Sequence, residues 1–304
     1  MINRLSQNNT TWIDLLNPTR DEVLKLMSEY GILPHIAEDL LTPTPRSNVQ
    51  EFPEHIYLVL HFPAFGSNHD STHTQEIDFI LGKNYIITSR YELSDAIYKF
   101  CKIFEVDSEL KSSSSHLNGS DIFIAILTEL CTTLSDEMAS IEEWIRLAEE
   151  EITDDIKNKS VITIAKISRN LLDFKQTIQP HDEILNLLIN KKHPSLDNDF
   201  PEKITRIYGE YKRIITLLES NKEDVDSMRT TNDSLINTRQ NDIIASLTLI
   251  AALLLPLSLI SSIFGMNVKN SPIIGSVNDF WIIISIMLLS VISFFFYFKY
   301  KKWF

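Results

Sequence analysis

Cysteine and positive charge are both scarce in this chain. Two cysteines, Cys101 and Cys131, stand far apart in 304 residues and form no CxxC pair. The sequence therefore writes neither a thiolate zinc site nor a disulfide framework, and both residues read as reduced thiols of a cytosolic compartment. Lysine and arginine number 28 against 41 acids, a net charge of −13. Phosphate binding needs clustered basic residues, so this balance argues against nucleic acid as a partner. Also missing are a P-loop, a dinucleotide fingerprint and a nucleophile–base pairing, which argues against an organic cofactor and against an enzyme. Residues 1–10 are polar and lack the apolar core of a signal peptide, so the soluble part is expected in the cytoplasm.

The most informative absence is charge between residues 243 and 264, IIASLTLIAALLLPLSLISSIF. At about 1.5 Å per residue this run spans roughly 33 Å, enough to cross a hydrocarbon core of about 30 Å. A second uncharged run covers residues 280–298. Two adjacent runs of this purity read as membrane spans rather than as the buried hairpin of a soluble protein. The lack of any charged residue in either span argues against a proton relay or an ion-pair carrier and favours an ion that keeps much of its water. Lys299, Lys301 and Lys302 follow the second span and Arg239 precedes the first, whereas the connecting loop 265–279 holds only Lys269. The positive-inside bias puts both termini in the cytoplasm and the loop outside.

Residues 1–120 carry the strand signals. Trp12-Ile13-Asp14-Leu15 reads as a short strand, and residues 56–62, 76–81 and 85–89 as three more, the last two joined at Gly82-Lys83-Asn84. Thr19 with Glu22 predicts a capping box for a helix over 20–30, and another short helix lies between Pro34 and the Thr42-Pro43-Thr44-Pro45 cluster. Residues 121–242 are helical by spacing: 121–156, 160–190, and a helix from Pro201 that runs unbroken through the first span to about Phe264. Its one internal proline, Pro256, falls within the span, where neighbouring helices satisfy the freed carbonyl. The expected architecture is an α+β cytosolic domain resembling an α/β/α sandwich, long stalk helices, and two C-terminal transmembrane helices. Residues 299–304 form a basic tail. A helix this long needs lateral packing from a bundle, an oligomer, or both.

Two helices cannot enclose a water-filled path, so a pore requires several chains. Stepping three and four residues from Asn241 gives Ile244, Leu247 or Thr248, Ala251, Leu255, Ser258 and Ser262. This stripe of small, polar and a few apolar residues suits a pore wall with dewetting constrictions. Close helix packing through small residues produces the same pattern. The second span, with Trp281 and Tyr297 near its ends, reads as lipid-facing. Between Glu129 and Asp155 lie ten carboxylates and one base, Arg146, either a cation-attracting face or a solvated helix surface. His69, Asp70 and His73 are partial zinc ligands or exposed loop residues.

Phe264-Gly265-Met266-Asn267, placed directly after the first of two C-terminal spans, resembles the aromatic-Gly-Met-Asn signature of the CorA family of magnesium channels. Trp12-Ile13-Asp14-Leu15, Glu38-Asp39-Leu40 and the strand pair around 77–89 are similar to that family's N-terminal domain, so the resemblance covers essentially the whole chain. It implies a funnel-shaped homopentamer in the bacterial inner membrane, with the first spans around a central pore. Gly265, Met266 and Asn267 would form the outer mouth, where the Asn267 amide oxygen meets hydrated Mg²⁺. Asn241 would match the polar ring at the cytoplasmic end, and Leu247 and Leu255 the hydrophobic constrictions. Mg²⁺ dehydrates reluctantly, so neutral oxygen donors touching its water shell make a sensible filter.

The resemblance also implies closure by cytosolic Mg²⁺ bridging carboxylates between subunits. Asp226 and Asp233 flank the matching stalk position, and Glu149, Glu150, Asp154 and Asp155 from the acidic run are further candidate regulatory ligands. The outer loop departs from the family by carrying Lys269 shortly after the motif, with Asp279 as its only acid. The relatives also include carriers of Zn²⁺, Co²⁺ and Ni²⁺; Met266 favours Mg²⁺, since zinc-transporting relatives often replace it. A tail-anchored sensor or scaffold is the alternative from another class.

Overall fold

The computed structural model describes residues 2–7, 9–65, 72–110, 118–154, 158–266 and 278–301. The chain divides into two compact units, Met1–Thr230 and Thr231–Phe304. The strands and most of the long-helix region therefore belong to one unit.

Six strands build the sheet of the N-terminal unit: β1 (Ile2–Gln7), β2 (Thr10–Leu16), β3 (Asn48–Glu51), β4 (His55–Phe65), β5 (Thr72–Gly82) and β6 (Tyr85–Arg90). Their order is β1-β2-β6-β5-β4-β3, and β2 and β6 run parallel while every other neighbouring pair is antiparallel. The edge strands β1 and β3 go beyond the sequence expectation. Their sequences, INRLSQ and NVQE, are largely polar, as edge strands are, and lack the alternation that marks a half-buried strand.

Helix α1 (Arg20–Tyr30) starts at the expected capping box: Thr19 accepts from the Glu22 amide and Glu22 accepts from the Thr19 amide. Such a cap contributes about 1 kcal/mol. The helix stops at Gly31, whose φ of 64° is left-handed and whose amide donates to the Met27 carbonyl. Helix α2 (Pro34–Asp39) opens on its proline. Together α1 and α2 bury Val23, Leu26, Ile36 and Ala37 against Ile13, Leu15, Tyr57, Val59, Ile80 and Ile87 of the sheet.

The opposite sheet face is covered by α3 (Asp95–Leu110), α4 (Gly119–Asp154) and α5 (Asn158–Ile178). Trp12 meets Phe100 at a tilt and Phe104 edge-on there, at 5.1 and 5.7 Å between ring centroids, and Phe79 meets Phe123 edge-on at 5.2 Å. Helices on both faces of one sheet make the expected α/β/α layering. Gly119 has no room for a side chain, because a Cβ would lie 2.5 Å from the Tyr85 carbonyl oxygen.

One expected helix is split. Residues 160–190 form α5 and then α6 (Pro180–Ile189), because Pro180 has no amide to donate and fits only the first turn of a helix. Gln179 keeps helical angles, so the interruption removes a hydrogen bond without turning the chain. Helix α7 (Phe200–Gly265) is one uninterrupted element of 66 residues containing Pro256, as its sequence predicts. Helix α8 (Asp279–Tyr300) is the second apolar helix.

Candidate functional site

Within the C-terminal unit, α7 and α8 each carry a long apolar stretch, almost none of which is buried within the chain. Both are long and apolar enough to cross a membrane. Their apolar side chains face outward, which in water would be ruinous and in lipid is the stable arrangement.

The exposure is not uniform around either helix. On α7 the part-buried positions are Leu249, Ala252, Leu253, Pro256, Leu257, Ile260 and Phe264. They recur every three or four residues and make one stripe. The predicted pore positions Asn241, Ile244, Leu247, Thr248, Ala251, Leu255, Ser258 and Ser262 are all exposed. At about 100° per residue their mean direction lies about 160° round the helix from the part-buried stripe. Leu247 and Leu255, at 61% and 69% exposure, are among the barest leucines of the chain. Thr248 turns its hydroxyl back to the Ile244 carbonyl at 2.7 Å, which satisfies the hydroxyl within the helix.

Helix α8 has a matching stripe: Ile283, Met287, Ser290, Val291 and Phe294 are part-buried, and Phe298 is buried. The second span is therefore not lipid-facing all round, as its composition alone suggests. A helix apolar on every face gives no sequence signal for which face packs.

Gly265 closes α7 and Met266 follows it, 57% exposed, with its amide on the Ile263 carbonyl. Asn267 and Lys269 lie outside the described residues, as do His69 and Asp70; the side chain of Asp279 is likewise not described. His73 pairs with Glu92 at 3.2 Å.

The candidate regulatory carboxylates are distributed along two helices. Glu149 and Glu150 are exposed on α4, and Arg146 draws in Glu150 and Glu143, holding the Glu143 carboxyl below the usual range. Two members of the acidic run are thus spent on an ion pair within the helix. Asp226 and Asp233 are exposed on α7. The Asp154 side chain and Asp155 lie outside the described residues. Among the described residues no three His, Cys, Asp or Glu side chains converge to hold a metal ion within one chain. Burial pushes the Cys101 and Cys131 thiols up to about 12, so neither is a thiolate ligand at neutral pH.

Sequence reading missed two buried polar networks in the N-terminal unit. On the α3 side of the sheet, Arg90 donates to Asp14 at 2.8 Å, Thr88 donates to Asp14 at 2.8 Å, and Trp12 donates to Thr88 at 3.0 Å. On the α2 side, Glu76 accepts from the Thr44 amide and hydroxyl, and Asp78 beside it is fully buried. The available signal was acid at alternate positions of an apolar strand, Glu76-Ile77-Asp78, which puts both on one face of the sheet.

Residues 7–301 match the family described as CorA-like Mg²⁺ transporter protein. The cobalt/magnesium transport protein CorA of Thermotoga maritima is 24% identical over 298 residues, covering 96% of this chain and 83% of that protein. The magnesium transport protein CorA of Helicobacter pylori is 26% identical, covering 98% and 92%. In structure, the complete CorA magnesium transporter of Methanocaldococcus jannaschii superposes with a TM-score of 0.87 at 20% identity, over 97% of this chain and 92% of that one. That likeness fixes the fold: an α/β unit, a long helix, and two apolar helices at the C-terminus. The family match spans nearly the entire sequence, and the chain belongs to the CorA-like Mg²⁺ transporters, a family that moves ions and does not catalyse reactions.

Proposed function

We propose that this protein is a Mg²⁺ influx channel, a homopentamer in a bacterial plasma membrane with both termini in the cytoplasm. Hydrated Mg²⁺ is selected at Gly265, Met266 and Asn267, moves down the membrane potential along the α7 stripe from Ser262 to Asn241, and closes the pore when it accumulates inside. The observation that carries this reading, beyond family membership, is that the predicted pore stripe of α7 is exposed and directed away from the part-buried stripe. A membrane anchor needs one packed face and lipid on the rest. It has no use for Asn241, Thr248, Ala251, Ser258 and Ser262 aligned on the unpacked side. The absence of charge in either span fits an ion that crosses with its water, and Lys299 and Arg239 flanking the spans support the orientation.

Uptake into proteoliposomes carrying a Mg²⁺-sensitive dye tests this. Influx driven by membrane potential alone is expected in the parent and lost to background in Asn267→Ala, with the variant's melting temperature unchanged. No Mg²⁺ influx, with Zn²⁺ influx following a proton gradient, would instead place the protein with the zinc carriers. Unchanged influx in Asn267→Ala removes the filter from that residue.

A further inference from the structure

Asp78 is an anomaly in the interior of the N-terminal unit. It shares a sheet face with Ile80, Tyr57, Val59 and Ile87, all core residues under α1 and α2. Its exposure is 0%, and its carboxyl oxygens have only the Glu76 carboxyl and the Tyr57 hydroxyl close by, with no well-formed hydrogen bond to either. The Tyr57 hydroxyl and the Ser89 hydroxyl lie on the same face of neighbouring strands and are also buried, without a well-formed hydrogen bond among the described residues. An ionised carboxylate left in that state is among the costliest groups a protein can bury.

Two positions along β5 on the same face sits Glu76, 6% exposed, and its carboxylate is well satisfied. Both of its oxygens accept from the Thr44 amide, at 2.7 and 3.0 Å, and one accepts from the Thr44 hydroxyl at 3.0 Å. Thr44 belongs to the segment 42–47 between α2 and β3, and Glu76 is its anchor on the sheet.

Among the described titratable groups around Asp78 no basic one acts on it; the one cation of the 42–47 segment, Arg46, is exposed. From β4 come Tyr57 and His61; the His61 Nε2 lies 3.0 Å from the Thr44 carbonyl and 3.4 Å from Glu76, and its Nδ1 lies 3.0 Å from the Ser47 hydroxyl. From the α2 layer comes Asp39, itself raised by burial and accompanied by Glu38 and His35. From the end of β6 come Arg90, held by Asp14, together with Tyr91 and Glu92. Burial foremost, then the charges of Glu76 and Asp39, hold the Asp78 carboxyl well above the usual carboxylate range. A cavity of about 360 Å³ lined by Thr44, His61, Glu76, Arg90 and Tyr91 opens beside Glu76, two positions from Asp78.

We propose that Asp78 and Glu76 form a one-proton acid pair that latches the 42–47 segment to the sheet, and that loss of the proton opens the latch. With Asp78 neutral, Glu76 carries the only charge of the pair and holds Thr44. When Asp78 ionises, two neighbouring carboxyl groups, close enough to share a hydrogen bond while one is protonated, both become negative. Opening the segment admits water to both. The closed form binds a proton that the open form releases, so rising pH favours opening.

Hydrogen exchange of the full-length protein in detergent, from about pH 5 to about pH 8, tests the latch, because the Thr44 amide is itself one of the bonds. After correction for intrinsic exchange, protection of the 42–47 peptide in the parent should fall by up to about tenfold per pH unit, the slope of one released proton. In Asp78→Asn that dependence should vanish, with the peptide protected throughout. In Thr44→Val, which removes the hydroxyl's bond but keeps the amide's bonds and both acids, protection should be lower at every pH with the parent's slope retained. A parent whose 42–47 protection does not change with pH overturns the proposal whether or not either variant folds. An equal slope in Asp78→Asn assigns the proton elsewhere and overturns it too.

Discussion

His181 is expected to weaken the N-terminal unit in acid. Its ring is buried between Phe62 and Tyr211, with centroids 5.0 and 6.2 Å away, and its Nε2 has no partner among the described residues. Burial is the main cause that lowers its pKa to about 4. An unfolded histidine titrates near about 6.5, so the folded state binds fewer protons across the interval between the two values. The stability this neutral ring contributes is complete above about pH 6.5 and is lost as pH falls towards 4, up to about 3 kcal/mol. Denaturant titrations at about pH 7 and about pH 5 should show that loss in the parent and a much smaller one in His181→Gln; equal losses would clear His181 of the role. Asp78 acts in the opposite sense. Its folded pKa is raised, so its contribution is complete at low pH and declines as pH rises. One buried base and one buried acid therefore bracket the stable range from opposite ends.

Among the elements, α7 joins a stretch patterned for water to one patterned for lipid. Up to Met228 its buried positions, such as Ile204, Tyr211, Ile214, Leu218, Val225 and Met228, recur at helical spacing. Beyond residue 240 nothing is buried and the part-buried stripe begins at Leu249. This much was legible in the sequence, because length, lack of charge and lack of glycine or proline breaks are local signals. The capping box of α1 was legible for the same reason. The polar edge strands β1 and β3 were not, since pairing with a neighbour decides them rather than their own pattern. Nor was the packing face of α8, whose residues are apolar all round. The α5–α6 break carried a readable signal in Pro180, but the surrounding apolar spacing outweighs one residue in a periodicity reading. Of the candidate site, the α7 stripe was readable as a row of residue types, while its direction away from the packed face required the fold. In the proposed pore Leu247 and Leu255 are the expected constrictions, since each presents a bare apolar side chain on the stripe. Replacing either with serine should leave the channel leaky when internal Mg²⁺ is high, measured as residual influx into Mg²⁺-loaded proteoliposomes. Closure as tight as in the parent would place the gate elsewhere.

For the molecule as a whole, the decisive question is how many copies surround one pore. A single chain supplies two spans, and neither can shield a hydrated ion from lipid. Its α7 stripe is polar in part and faces away from the packed side, so the stripe must be covered by water or by other copies of itself. A closed ring of identical chains satisfies both at once, with the stripes inward and rotational symmetry leaving no unpaired surface. The two native thiols are held at about 12 by burial, so they react poorly and leave an introduced cysteine as the reporter. In Ala251→Cys, on the exposed stripe, a short bifunctional maleimide should join chains to one another; in Leu253→Cys, on the part-buried stripe, it should join few or none. The native mass in detergent should be five times the chain mass of 35.0 kDa. A monomeric or dimeric mass, or links through Leu253→Cys in preference to Ala251→Cys, would turn the packed face into the interface and leave the polar stripe without a pore to line.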